Sequence, residues 1–435
     1  MRDIVMVALF GLACFWALRR PWISVMLWAW LGLMNPHRLT FGFAYSLPFA
    51  QLAAVLVLVL FLQPKNRHGF PDVSTAKWMV AFYGWCCVSS VFSFNEPSMV
   101  LEDWVKVTKI QLMLFITLSM MRGRQQVHAM VWLIAISIGF YGIKGGIFTI
   151  ARGGSSMVMG PTGSFIEGTN HIALAMMMVV PLMYYLIQQT ESRWIRLGLW
   201  GAMGLNTLAV LGTTSRGALL AVLVMCTLLG LKSKRRVATL AVLAIGLILM
   251  VIFMPDSWTN KMGTIQSHED HSAQSRLYTW KMIWNLALHN PFTGGGYSVT
   301  ANPETWHRYA VTEWAKAYSP HSIYFQALAE HGFVGLALYI GIGVSTWRLC
   351  SRIVKQAVGP ELEWANLLAR MVQVAVAGFA VGGLFVNLVN FDLPYYFVAL
   401  AILTQLAVQQ QLKDAAARPL PTQSPAPQRP APFRP

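Results

Sequence analysis

Residues 172–187 read IALAMMMVVPLMYYLI, sixteen consecutive residues without a charged side chain. With a few flanking residues, this run approaches the about 20 residues that a helix needs to cross about 30 Å of hydrocarbon. Comparable runs occupy residues 47–62, 237–254 and 371–389. The sequence therefore predicts an all-α polytopic membrane protein.

The composition agrees with a membrane protein. Of the 435 residues, 56% are hydrophobic and 11% are charged, against roughly 25% charged in soluble domains. The net charge is +16, but residues 256–330 hold six acidic residues against five Lys/Arg, so the excess lies in short loops and the tail. This distribution is typical of the positive-inside rule. We expect membrane lipids, and no nucleic acid, among the partners.

Apolar segments lie near residues 4–18, 21–34, 47–63, 76–94, 101–121, 126–150, 169–187, 193–212, 216–231, 236–254, 331–349, 365–388 and 393–411. With the basic loops in the cytoplasm, the alternation holds from the third segment to the end. The first two segments are short and are separated by Arg19-Arg20-Pro21. We therefore predict about 12 transmembrane helices, with both termini cytoplasmic.

This topology divides the chain into four parts. Residues 1–254 are predicted transmembrane helices, and residues 255–330 form one large periplasmic loop with an amphipathic helix. Residues 331–412 are the C-terminal transmembrane helices, and residues 413–435 are a proline-rich cytoplasmic tail, predicted to be disordered. Within the loop, Leu277, Trp280, Trp284 and Leu288 recur at helical spacing, which predicts a helix over residues 276–289 lying in the membrane interface. A run of three glycines, residues 294–296, ends it.

Two arginines are candidate anion-binding residues. Arg216, in Thr213-Thr214-Ser215-Arg216-Gly217, is predicted at the outer end of a span, where a guanidinium is costly unless it meets an anion or snorkels to the headgroups. Arg276 is predicted to open the loop helix, where a cation opposes the macrodipole unless an anion accompanies it. A solvated loop arginine is the alternative for Arg276.

His321 is the candidate base. It follows Ser319-Pro320 and precedes Ser322-Ile323, where the polar loop returns to helix. An unperturbed imidazole titrates near neutral pH and suits proton removal from a hydroxyl. A satisfied interfacial histidine is the alternative.

A metal site is not predicted. His268-Glu269-Asp270-His271 lacks the spacing that places two ligands on one helical face, and a solvated loop explains it. The five cysteines show no metal or redox spacing. Lys144 and Arg152 lie near the predicted outer face and either add positive potential there or anchor the chain at the interface.

Together, Arg216, Arg276 and His321 predict a transferase. Two arginines can bind a diphosphate bidentately and stabilise its charge as a leaving group. The histidine can deprotonate an acceptor hydroxyl. This set fits transfer of a group from a lipid-linked diphosphate to an alcohol outside the cytoplasm.

Three short segments resemble the O-antigen ligase and polymerase superfamily. They are Thr214-Ser215-Arg216-Gly217-Ala218, Ser275-Arg276-Leu277 with Trp280 and His289-Asn290-Pro291, and Pro320-His321-Ser322 with Glu330-His331-Gly332. Ser322 replaces the asparagine usual in the family. Residues 163–170 are also similar, and Arg19-Arg20-Pro21 with Asn35-Pro36-His37-Arg38 resembles the exosortase-associated O-glycosylation ligase subgroup.

The resemblance implies a C-type glycosyltransferase-like fold in the bacterial inner membrane. It implies inverting transfer, without metal or cofactor, of an undecaprenyl diphosphate-linked glycan to the lipid A–core acceptor. Arg216 and Arg276 would hold the diphosphate, and His321 would activate the hydroxyl at the periplasmic face. Asp392 would orient a base or sugar, or simply cap the last helix. A protein O-oligosaccharyltransferase, an O-antigen polymerase and a lipid-linked glycan transporter remain alternatives.

Overall fold

A computed structural model of the chain describes residues 1–232, 236–252, 256, 271–311 and 317–417. Over these residues the secondary structure is helical without strands, which confirms the predicted all-α class. The α-helices are α1 (Arg2–Arg19), α2 (Trp22–Met34), α3 (Phe49–Leu62), α4 (Ser74–Val91), α5 (Pro97–Met120), α6 (Arg124–Ala151), α7 (Thr169–Gln189), α8 (Arg193–Gly212), α9 (Arg216–Lys232), α10 (Arg236–Ile252), α11 (His271–His289), α12 (Pro303–Tyr309), α13 (Ile323–Gln356), α14 (Glu363–Gly382) and α15 (Asp392–Ala417).

Each of the thirteen predicted apolar segments coincides with one of these helices, α1–α10 or α13–α15. Among the described residues, five helical stretches are long and apolar enough to cross a membrane: Arg124–Ala151, Thr169–Gln189, Arg193–Gly212, Ile323–Gln356 and Pro360–Phe385. Shorter apolar helices such as Trp22–Met34 accompany them. The protein is therefore a multi-pass membrane protein, and the count of about twelve crossings stays a prediction.

The helix α15 lies at the centre of the bundle. It packs on α2, α5, α6, α13 and α14, and residues 395–405 are buried. A buried amide needs a partner, and Gln405 Nε2 donates to Gln356 Oε1 at 2.9 Å.

Small residues bring α6, α7 and α8 into close contact. A Cβ on Gly142 of α6 would overlap the side chain of Asn206 of α8, and one on Gly146 would overlap the backbone of Leu205. The Asn206 amide also donates to the Met176 carbonyl of α7 at 2.7 Å. Close backbone approach and a buried hydrogen bond thus hold the three helices together.

The helix α13 is broken at Gly332, whose φ of 67° and ψ of −170° are not helical. The N–H groups of Gly295 and Gly296 donate to the carbonyls of Ala329 and Glu330 at the break, at 2.8 and 3.1 Å. The glycine run that ends α11, as predicted, therefore also docks the loop onto α13.

The helix α11 begins at His271, before the predicted start at residue 276. Its packing face holds Met282 and Ile283, which are fully buried, whereas Leu277 and Trp284 of the predicted stripe are 55% and 49% exposed. The stripe thus faces outward over most of its length, and its placement in a membrane interface stays a prediction.

Several connections meet at one end of the bundle, which we call the loop face: residues 35–48, 92–96, 151–168, 213–215, 290–311, 317–322 and 383–391. The Phe94 N–H donates to the Gly295 carbonyl at 3.0 Å, and the Phe165 ring lies 5.9 Å from the Phe391 ring. The loop face therefore brings together turns from distant parts of the chain.

Two predicted features lie outside the described residues. One is His268-Glu269-Asp270, and the other is the tail from residue 418 onward. The helix α15 continues to Ala417, into the segment that composition assigned to the tail.

Candidate active site

His321 lies in the turn that leads into α13. Its φ of 44° is in the left-handed region, which is uncommon for a residue with a side chain and persists only where the surroundings impose it. The Trp280 indole of α11 donates to the Pro320 carbonyl at 2.8 Å, and its ring stacks on Phe325 at 4.8 Å. These contacts from α11 hold the His321 turn in place.

The charge environment of His321 favours a neutral imidazole. Burial, the Arg276 guanidinium and His171, in that order, lower the pKa of His321 below its ordinary value. A neutral imidazole can accept a proton from a hydroxyl. Arg276 thus lies close enough to His321 to act on it electrostatically.

Arg276 lies in the second turn of α11, because the helix begins five residues earlier, at His271. The expectation that Arg276 opens this helix and opposes its macrodipole is therefore wrong. Its side chain is half-buried, at the side of α11 that meets the His321 turn.

His171 is a site residue that the sequence reasoning missed. It lies in the first turn of α7, and its ring shares a hydrogen bond with the Asn387 side chain. A lone histidine at the start of an apolar segment belongs to no motif. The feature of the sequence that could have identified it was its position directly after residues 163–170, the turn that resembles the family.

Arg216 is the first residue of α9, a shorter apolar helix, and its place at the outer end of a span stays a prediction. Two neighbours form its turn: Thr214 has a φ of 53°, and the Ser215 hydroxyl accepts the Ala218 N–H at 3.2 Å as an N-cap. The Thr-Ser-Arg-Gly sequence thus supplies a left-handed turn and a cap that present Arg216.

The starts of α9 and α13 meet at the turn formed by residues 383–385. A Cβ on Gly217 would stand 2.7 Å from Phe385, and one on Gly383 would overlap the Ile323 side chain. Ile323 is two residues from His321, and Gly217 adjoins Arg216. Arg216 therefore reaches the same corner of the loop face as His321.

Side chains of α13 fix the adjoining turn. Gln326 Nε2 donates to Glu330 Oε1 at 3.2 Å, and Gln326 Oε1 accepts the Val389 N–H at 3.2 Å. This turn carries Asn387, the partner of His171. Gln326 and Glu330 therefore position the turn that orients His171.

His331 does not belong to this corner. It is fully buried, and its Nδ1 lies 2.7 Å from the Ser89 hydroxyl while its Nε2 lies 3.5 Å from the Cys86 sulfur. The Tyr297 ring packs edge-on at 4.9 Å. His331 is thus a satisfied core residue that ties α13 to α4.

The remaining candidates lie at other places on the loop face. Lys144 is exposed near the end of α6, and the Arg152 guanidinium lies 5.9 Å from the Phe148 ring centroid. Asp392 is buried at the first turn of α15, and its carboxylate accepts the Leu393 N–H. A helix N-cap accepts the N–H two or three residues further on, which this contact does not supply, so the role of Asp392 stays a prediction.

Two family models match the chain. Residues 201–340 match the O-antigen ligase family, and residues 1–191 match a family of unknown function. No curated protein matches the chain. The first match covers Arg216, Arg276 and His321, and the second covers His171. Residues 201–340 therefore carry an O-antigen ligase family domain, and this match supports a place in the O-antigen ligase and polymerase superfamily, whose members are membrane glycosyltransferases and ligases.

Proposed function

We propose that the protein is an O-antigen ligase that transfers a glycan from undecaprenyl diphosphate to a hydroxyl of the lipid A–core oligosaccharide. One observation carries this proposal. The half-buried His321 lies in a left-handed turn that Trp280 of α11 holds by a hydrogen bond to Pro320, within electrostatic range of Arg276 and at the corner where α9 starts. A base beside fixed cations is what an alcohol attacking a diphosphate-activated sugar requires.

In this mechanism Arg216 and Arg276 bind the diphosphate oxygens through paired N–H donors. The acceptor oxygen attacks the anomeric carbon from the face opposite the diphosphate, so the new C–O bond forms with inversion. The C–O bond to the diphosphate breaks, and undecaprenyl diphosphate leaves with the bonding pair. His321 takes the hydroxyl proton. The two guanidinium groups offset the leaving-group charge, a role that needs neither metal nor cofactor.

The proposed location follows from the same chemistry. We place the protein in the bacterial inner membrane, as a C-type glycosyltransferase-like fold with the loop face in the periplasm. Sugar nucleotides are not available there, whereas a lipid-linked donor is. The placement agrees with the basic loops of the predicted topology, and a cysteine probe at the exposed position 301, next to the buried Thr300, should react from the periplasm.

A transfer assay in proteoliposomes tests the proposal. The donor is a labelled glycan on undecaprenyl diphosphate, and the acceptor is purified lipid A–core. We expect labelled lipopolysaccharide, and full activity in EDTA. Loss of activity in EDTA that magnesium restores would contradict the metal-free mechanism.

The acceptor separates the alternatives. Transfer to a serine- or threonine-containing peptide instead of lipid A–core would identify a protein O-oligosaccharyltransferase, and elongation of the donor glycan would identify a polymerase. Movement of the donor across the bilayer without transfer would identify a transporter. In cells, a deletion strain should lose the lipopolysaccharide ladder and keep the core band.

A further inference from the structure

A second concavity lies beside the candidate active site on the loop face. It is a groove of about 250 Å³ between the end of α6 and residues 157–161. Its apolar wall includes Leu39, Tyr141, Phe148, Met159, Pro161 and Ile172. We call it the α6 groove. The mechanism above does not use it.

The walls of the α6 groove are held by contacts from other elements. The Val158 N–H donates to the Gly212 carbonyl at the end of α8 at 3.1 Å, and the Tyr141 hydroxyl donates to the Met34 carbonyl of α2. Gly145 lacks a side chain where Val158 packs against α6. The groove is thus built by α2, α6 and α8 together.

Positively charged residues flank the α6 groove, and its interior is mostly apolar. Lys144 is the charged residue among those that line it, and it is exposed. The guanidinium of Arg152 sits over Phe148, another lining residue. An apolar channel flanked by cations fits a molecule with a hydrocarbon chain and a phosphate near its end.

The inner end of the groove adjoins the active site. Ile172 lines the groove. The residue before it, His171, is one of the groups that lower the pKa of His321. The Gly212 carbonyl, which accepts the Val158 N–H of the groove wall, directly precedes the turn of residues 213–215 that leads to Arg216. A lipid held in the groove would therefore lie near the His321 turn.

We propose that the α6 groove binds the acceptor lipid, holding part of its hydrocarbon chain against the apolar wall and a phosphate at Lys144 and Arg152. This inference rests on the proposed function. Transfer between two lipids requires both at His321 together, and the diphosphate of the donor occupies Arg216 and Arg276. The groove approaches His321 from α7, which carries His171, whereas Arg276 approaches His321 from α11.

The test measures binding without turnover. Full-length protein in phosphatidylcholine vesicles is irradiated with a lipid A–core acceptor that carries a photoactivatable group in one acyl chain. We expect crosslinked peptides from residues 141–161. An equivalent donor probe on undecaprenyl diphosphate, and an anionic phosphatidylglycerol probe, should label this region several-fold less. Stronger labelling by either probe would overturn the assignment to the acceptor.

Charge reversal sharpens the test. Lys144→Glu should raise the KM for acceptor about tenfold, because attraction to a phosphate becomes repulsion, and should leave the KM for donor within about twofold. Arg308→Glu, an exposed arginine of the same face, is the matched control. An unchanged acceptor KM in Lys144→Glu would remove Lys144 from the site. The crosslink is read without transfer, so a protein that binds the acceptor in the groove but does not glycosylate it would contradict the proposed function alone.

Discussion

His321 and His331 lie ten residues apart along the chain, and the structure gives them opposite environments. His321 is half-buried in a left-handed turn of the loop face, within electrostatic range of Arg276. His331 is fully buried, with Ser89 and Cys86 at its two ring nitrogens. His321 thus has a ring nitrogen available to accept a proton, whereas both ring nitrogens of His331 make contacts within the core.

The comparison teaches that the first part of α13, residues 323–331, separates the two roles: His321 precedes it and His331 ends it at the break. Before the break, Trp280 of α11 fixes the turn of His321 by a hydrogen bond to the Pro320 carbonyl and by stacking on Phe325 of α13. At the break, the N–H groups of Gly295 and Gly296 donate to the carbonyls of Ala329 and Glu330, and the glycine loop thereby packs against the core around His331. Substitutions at the two histidines should therefore affect different properties, activity in one case and stability in the other.

The largest effect is expected at His321. Replacing a general base removes the group that takes the hydroxyl proton, so His321→Ala should lower the transfer rate by about a hundredfold or more. Donor binding and the melting temperature should change little. The matched control is His289→Ala, an exposed histidine of the loop face whose Nδ1 lies 2.8 Å from the Asn285 carbonyl. More than about a third of the wild-type rate in His321→Ala would refute the general-base role.

The next effect is expected at the arginines. Arg276→Lys and Arg216→Lys should each reduce transfer about tenfold or more, nearly as much as the alanine variants, because lysine keeps the charge but loses the bidentate geometry. Steady-state rates at saturating acceptor measure this loss. Arg308→Lys serves as control, since Arg308 is an exposed arginine whose guanidinium lies 5.4 Å from the Tyr309 ring centroid. Full activity in both lysine variants would reduce the arginines to a general electrostatic role.

His331 should behave as a core residue. His331→Ala removes a buried ring and leaves the Ser89 hydroxyl without its partner, at a cost of about 2–4 kcal/mol in the free energy of unfolding. Thermal unfolding in detergent measures this loss, and the transfer rate per folded molecule should stay within about threefold. A variant that melts like the wild type but fails to transfer would reverse the roles of the two histidines.

The smallest effect is expected at His171. Activity should fall at acidic pH, as His321 becomes protonated, and the lowered pKa of His321 keeps this acid limb below the ordinary histidine range. His171→Gln removes one of the groups that lower this pKa, the Arg276 guanidinium being the other. The acid limb should therefore move to higher pH by less than about one unit. An acid limb at the same pH as in the wild type, together with a lower rate, would indicate that His171 affects only the geometry of the site and not the pKa of His321.

Much of the site could be predicted because its elements are local in sequence. The Thr-Ser-Arg-Gly turn encodes its own cap and left-handed residue, and Pro320 marks the start of α13. The start of α11 was misplaced because polar residues before Arg276 carry no hydrophobic periodicity. His171 was missed for a different reason: its role comes from His321 and Asn387, which lie far away in sequence.

The sequence by itself determined the all-helical membrane class, the positions of the apolar helices and the candidate residues Arg216, Arg276 and His321. These follow from hydrophobic length, charge placement and short motifs, which act within one segment. Only the tertiary structure decided which of them meet, that His331 is a core residue, and that Lys144 borders a separate groove. Such relations arise when α4, α7, α9, α11 and α13 pack together, and one-dimensional periodicity carries no information about which helix ends become neighbours.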